Sequence, residues 1–182
     1  MRTTATPEQV FWALVDGVAA GRWDELSLLY AERTNVVHPF DPLRSAPLRS
    51  RRDLAAHFDQ SRAAGSLARV PANITVHETT DPEVVVAEFE YRGATADTGR
   101  GFAIPCIFVI RVRAGKIIES RDYIDHLASA DARGQLDALI DAIHERVAAG
   151  IRVSDVRGPR EMSQVADAGG ACSRGGREAR TL

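Results

Sequence analysis

Lysine is all but missing from this 182-residue chain: Lys116 stands alone beside 22 arginines. With 28 alanines in the same sequence, the bias reads as GC-rich codon usage, not as a surface selected for arginine. Neither sign of charge is in excess. The formal net charge is −2 and the pI about 6.2, so no long-range field draws nucleic acid or an anionic membrane to the chain. Neither is expected as a partner. No apolar run approaches the roughly 18 residues of a membrane-spanning helix. The opening Met1-Arg2-Thr3-Thr4-Ala5-Thr6-Pro7 leads into a helix carrying Glu8 and Asp16, not into the apolar stretch of a signal peptide. Cysteine is scarce too. Cys106 lies in a strand-like run and Cys172 in a Gly/Arg-rich tail, so neither a disulfide framework nor a Cys-based zinc site follows. A reducing cytoplasm is the expected setting.

What is present is an ordinary globular mix, 45% hydrophobic and 26% charged, enough at this length for one domain with a real core. Thr6-Pro7-Glu8-Gln9 reads as a helix start with a capping box. Val10, Phe11, Leu14, Val15 and Val18 follow at helical spacing, and Gly21 ends the run. A second helix is expected from Trp23 to Ala31, a short strand over Thr34–His38 closed by Pro39 and Pro42, and a third helix from Arg51 to Ala64 with Gly65 at its end. The period then changes to two. Strands are expected over 73–79, 83–92, 101–113 and 117–126, the last two joined by a tight turn at Arg113-Ala114-Gly115-Lys116. Ser129–Ala149 returns to helix, with Leu136, Leu139, Ile140, Ile143 and Val147 on one face. Beyond Gly150 the pattern stops, which predicts a domain over 1–150 and a disordered tail over 151–182. Helices first and antiparallel strands after them define an α+β fold: a curved, cone-shaped antiparallel sheet with helices in its concave face. The open mouth of such a cone suits a small ligand.

Four stretches carry a resemblance: Ala20-Gly21-Arg22-Trp23-Asp24-Glu25-Leu26; Leu29-Tyr30-Ala31-Glu32 followed by Val37-His38-Pro39; Pro105 to Arg113; and Gly115-Lys116-Ile117-Ile118-Glu119-Ser120-Arg121-Asp122-Tyr123-Ile124-Asp125. Over roughly residues 7–128 the order helix–helix–strand–helix–four strands resembles the SnoaL-like, or nuclear transport factor 2-like, superfamily. That group includes ketosteroid isomerase, limonene epoxide hydrolase and the polyketide cyclases. The resemblance implies a homodimer and places His38 at the position of the steroid isomerase's catalytic Asp-before-Pro. Imidazole suits proton abstraction near neutrality. The isomerase's oxyanion donors are replaced by Leu14 and, nearby, Phe108, which argues against steroid isomerisation. Asp122 matches the catalytic Asp of limonene epoxide hydrolase and the acid/base Asp of SnoaL-type cyclases. The hydrolase's Arg-x-Asp pair is replaced by Glu88-Phe89-Glu90.

Plainer readings stand beside these. His38 doubles as a strand-end residue beside Pro39. Asp122, on a strand whose even positions look inward, could equally serve a buried ion pair with an arginine such as Arg111. Alternation puts Glu88 and Glu90 in solvent; Trp12 and Trp23 read as packing, Asp125 and His126 as surface. The cluster Arg44, Arg49, Arg51 and Arg52 reads as a solvated loop. His38, His57, Asp122 and His126 lack chelating local spacing, so neither metal nor cofactor is expected. The leading expectation is an enzyme moving a proton next to a carbonyl, as in cyclisation or isomerisation of a polyketide-like or related natural-product intermediate. His38 and Asp122 are its polar pair. Leu14, Phe40, Phe58, Phe108, Ile110, Glu88 and Glu90 are expected to contact an apolar small molecule. A non-catalytic ligand-binding or dimerisation module and an epoxide hydrolase are the alternatives.

Overall fold

The turn at Ala114-Gly115 sets up the long hairpin on which the sheet is built. Both residues take positive φ, 50° and 71°, the turn geometry that matches the right-handed twist of its flanking strands. In a computed structural model describing residues 4–63, 67–95 and 97–150, the hairpin joins β5 (Gly101–Arg113) to β6 (Lys116–Ile124). Ahead of it come α1 (Pro7–Ala19), α2 (Trp23–Leu26), β1 (Tyr30–Val37), β2 (Leu48–Ser50), α3 (Arg51–Ala63), β3 (Arg69–Glu78) and β4 (Val84–Ala94). After it come α4 (His126–Ala132) and α5 (Leu136–Ala148). Apart from Gly150, the described residues belong to one compact unit, Met1–Ala149. The expected tail over 151–182, Gly65 and Cys172 lie outside the described residues.

The sheet has six strands in the order β2-β1-β6-β5-β4-β3. All pairings are antiparallel except β1 with β6, which run parallel. The curved α+β sheet expected from the sequence is therefore mixed, not antiparallel throughout. Helix α1 packs on β3, β4 and β5, and α3 on β1 and β2. Thr6 caps α1 through its hydroxyl while the Gln9 side chain reaches back to the Thr6 N–H, as the capping-box pattern requires. The core forms where α1 meets the sheet: Phe11 stands edge-on to Phe89 at 5.6 Å, and Phe89 edge-on to Phe108 at 5.0 Å.

Several expectations shift. The second helix stops at Leu26 and tightens into a 3-10 turn over Ser27–Leu29. Tyr30 already begins β1, because its fully buried ring and Val36 pack better on an extended chain facing α3. β2 is too short for a periodic signal to have marked it. A bulge between Arg111 and Val112 changes the phase of β6, so Ile117 faces the core together with Ser120 and Asp122. The last helix divides at Gly134, whose φ of 65° turns the chain. Consequently no α5 residue is buried, although its apolar face was expected inward, and Val147 is 71% exposed.

Candidate active site

Asp122 is carried on β6 opposite Phe108 of β5 and is 6% exposed. Burial pushes its carboxyl up to about 7, against a smaller opposing effect from Ser120. The buried Ser120 hydroxyl, on the same face, donates to Asp122 Oδ1. The other oxygen, Oδ2, lies 3.8 Å from His38 Nε2, beyond direct hydrogen-bond reach but within the span of one bridging water. Burial lowers the His38 pKa, His126 lowers it further, and Asp41 opposes both. At pH values between the two groups the resting couple is a neutral imidazole beside a protonated carboxyl. It has ion-pair spacing without being an ion pair.

The loop after β1 holds His38 in place. The Asp41 N–H donates to the His38 carbonyl at 3.0 Å, and the Asp41 carboxylate accepts from the Leu43 N–H at 2.9 Å and the Ser45 N–H at 2.8 Å. Burial alone would raise Asp41; its hydrogen bonds outweigh this and lower it. His57 of α3 stacks on His38 with ring centroids 5.6 Å apart, and His126 meets His38 edge-on at 6.1 Å. Burial, then the neighbouring His38, drives His57 down to about 4; burial lowers His126 as well. The fold thus gathers three histidines that sequence spacing left scattered. Among the described residues no group of three or more His, Cys, Asp or Glu has the arrangement to hold a metal ion.

These rings border a cavity of about 430 Å³ between α1, α3 and the sheet. Of the expected contact residues, Leu14, Phe58 and Phe108 line it, as does His38. Asp122 sits behind His38 and does not itself form the wall. Four others are placed elsewhere. Ile110 is 0% exposed and wholly core, because its even β5 position points under α1. Phe40 is 69% exposed and stands edge-on to Tyr123 at 5.1 Å. Glu88 and Glu90 alternate with the buried Ala87, Phe89 and Tyr91, so pleating turns them to the outer face of the sheet. There Glu88 meets His77 at 2.9 Å, while Glu90 pairs with Arg92 at 2.7 Å and accepts from Asn73. Phe40, Glu88 and Glu90 instead border an outer groove of about 710 Å³. Neither Glu88 nor Glu90 therefore joins Asp122 to activate water, as the epoxide hydrolase reading requires. Arg111 is not the Asp122 partner either: it binds Asp81 at 2.7 Å and contacts Glu83 and Glu119.

Sequence reasoning passed over Tyr91, Arg69, His57 and His126, all on the cavity wall. Tyr91 had a signal, since it shares the inward β4 face with Ala87 and Phe89. Arg69 had none: β3 starts four residues earlier than its alternation shows. The register slips between Ala72 and Thr75, where Asn73 takes φ 51°. His126, expected at the surface, is drawn inward by α4. Asp125 caps that helix by accepting from the Ala128 N–H at 2.8 Å.

A mixed sheet with helices walling a cavity against it defines an α+β cone. Residues 12–120 match the SnoaL-like domain, and the chain belongs to that family. A 60-residue stretch is 37% identical to the uncharacterized protein YesE of Bacillus subtilis (strain 168), spanning 33% of this chain and 41% of that protein. Among solved structures, the "Putative Isomerase from Bacillus subtilis" superposes with a TM-score of 0.62 at 22% identity, covering 71% of this chain and 93% of that one. A "putative polyketide cyclase" from Pseudomonas putida KT2440 gives 0.55 at 16% identity, over 70% of this chain and 98% of that one. A hypothetical protein with a ketosteroid isomerase-like fold from Catenulispora acidiphila DSM 44928, solved with trimethylamine, gives 0.54 at 19% identity over 71% and 95%. At these identities the likeness is one of fold. Among the described residues no helix is long and apolar enough to cross a membrane.

Proposed function

We propose that the chain is an isomerase or cyclase that moves a proton next to a carbonyl in a small polyketide-like or related natural-product intermediate. The observation that carries this reading is the 3.8 Å approach of His38 Nε2 to Asp122 Oδ2 at the wall of the inner cavity. Neutral His38 accepts the proton from the carbon beside the carbonyl, and the electron pair moves onto the carbonyl oxygen. The protonated Asp122 carboxyl returns a proton to the enolate at a second position through one bridging water. Transfer from imidazolium to carboxylate then resets the pair. An oxyanion donor is worth ~10²–10³ in rate. By the resemblance, Leu14 and a position near Phe108 replace the steroid isomerase's donors, so the substrates that suit this site stabilise their own enolate by conjugation.

The test is hydrogen–deuterium exchange at the α-carbon of 2-tetralone in D₂O, followed by NMR. Its aryl-stabilised enolate meets the site's requirement. Wild-type protein should accelerate exchange, and His38→Ala and Asp122→Asn should abolish the acceleration while keeping the native circular dichroism spectrum. No acceleration by the wild type across a panel of such ketones would favour the second reading, a non-catalytic ligand-binding domain. That reading draws on Arg69 Nε, Tyr91 Oη and His126 Nε2 of the cavity wall, buried atoms without a hydrogen-bond partner among the described residues.

A second copy of the chain is the proposed partner. Phe40, Ile107 and Leu127, 69%, 42% and 53% exposed, border the outer groove and supply apolar surface for pairing. Light scattering of the purified protein, with Ile107→Glu expected to shift it to monomer, tests this.

A further inference from the structure

Arg69 is an unusual cation for a ligand cavity. Its guanidinium lies 4.9 Å from the centroid of the Tyr91 ring and 5.6 Å from that of Trp23. Two aromatic faces thus fix the plane of the fork and offset part of its desolvation. Among the described residues no carboxylate pairs with it, and its Nε has no hydrogen-bond partner. Burial lowers its pKa, a fall that the neighbouring Tyr91 opposes and that Arg133, also on the cavity wall, adds to. A cation withdrawn from water without a counter-ion is costly.

Tyr91 and His126 carry unmatched atoms in the same way. Buried side-chain polar atoms without a partner among the described residues are Asn35 Oδ1, Arg69 Nε, Tyr91 Oη and His126 Nε2. Three of these four residues line the one cavity. Tyr91 is 5% exposed, and its phenol is held firmly in the donor form because burial, the largest influence, pushes its pKa up. Groups of this kind are ordinarily satisfied in folded proteins, so their concentration on one wall marks where a ligand's polar end belongs. Leu14, Val18, Phe58, Ile104 and Phe108 form an apolar part of the same wall, beside polar residues such as Ser45, Gln60 and Ser129. A guanidinium fork whose plane is set by two rings suits a planar anion gripped edge-on, which a carboxylate is and a tetrahedral phosphate is not.

We infer that this cavity binds carboxylic acids. Arg69 and the Tyr91 hydroxyl hold the carboxylate, and the apolar wall holds an aliphatic or aromatic body. The inference rests on the proposed function only in assigning the substrate to this cavity. Under that reading Arg69 is a substrate-binding residue, and the compound that reaches His38 is a keto acid or another carbonyl compound bearing a free carboxylate.

The experiment reads equilibrium binding and needs no turnover, so loss of the catalytic reading would leave it intact. Isothermal titration of the full chain compares 2-naphthoate, methyl 2-naphthoate and 2-naphthyl phosphate. A charge-assisted contact gives the acid about 10- to 100-fold tighter binding than its ester, and the acid should also exceed the phosphate. Arg69→Gln should bring acid and ester within about threefold of each other. Arg69→Lys, which keeps the charge and guards against a folding defect, should recover part of the preference. Equal binding of acid and ester to the wild type, retention of the preference in Arg69→Gln, or no measurable binding of any probe would overturn the inference. Preference for the phosphate would replace carboxylate by phosphate as the ligand and overturn it equally.

Discussion

Val37 pairs with Arg121 across the parallel seam between β1 and β6, and that register brings His38 and Asp122 side by side. The two strands run in the same direction, so the residue just past the end of β1 falls next to the inward position that follows Arg121. Neither side chain reaches across on its own. The juxtaposition is a property of the backbone ladder, and Ser120 then orients Asp122 within it by donating to the far carboxylate oxygen. Three predictions turn on how this pair and the core around it behave, and one on a nearby thiol.

The first concerns stability. The folded Asp122 value, about 7, lies above its unfolded value of roughly 3.9. Below both values the residue contributes nothing. As pH rises through the interval the unfolded chain ionises first, and stability falls until the folded carboxyl also ionises near 7. Asp122→Asn removes this burden. The variant should exceed the wild type at pH 8 by an amount of the order of 4 kcal/mol, and the gap should close toward pH 4. Urea unfolding at pH 4, 6 and 8 measures it. A variant less stable than wild type at pH 8 would mean that Asp122 is a structural ion-pair partner.

The second concerns rate. The working state needs His38 neutral and Asp122 protonated. Activity should therefore rise through the lowered His38 value, peak on the acid side of neutrality and fall through the Asp122 value near 7. Each single substitution should cost about 10²–10⁴ in rate. The double variant should lose little more than the worse single one, since the two act as a unit. An alkaline optimum would reverse the assigned roles.

Core and cavity positions on β5 separate in the third. Ile110 is fully buried away from the cavity, so Ile110→Ala should lower unfolding free energy by about 2–5 kcal/mol while leaving naphthoate affinity unchanged. Phe108→Ala, on the wall, should change both. Denaturant titration alongside calorimetry reads the difference.

Cys106 provides the fourth. Burial, the largest influence, pushes its thiol up to about 12, and the thiolate is the reactive form. In native protein it should resist iodoacetamide at pH 8 and react fully after denaturation, as read by mass spectrometry of its peptide. Rapid native alkylation would show that the strand opens readily.

The order of elements and the inward run of β5 were legible along the chain. Capping boxes, helical spacing and period-two alternation are local, and each residue's neighbours in sequence suffice to generate them. The outward faces of Glu88 and Glu90 were legible for the same reason, since pleating alone decides them once β4 forms. Other features depended on elements meeting in space. Gly134 divided a helix that periodicity joined. A bulge in β6 decided which residues accompany Asp122 into the core, and the slip at Asn73 left Arg69 ahead of the alternating run. Only tertiary structure could gather His38, His57 and His126 around one cavity, or set Arg69 between two aromatic rings. Contacts of that kind depend on strand register and helix docking, and no local pattern of side chains encodes them.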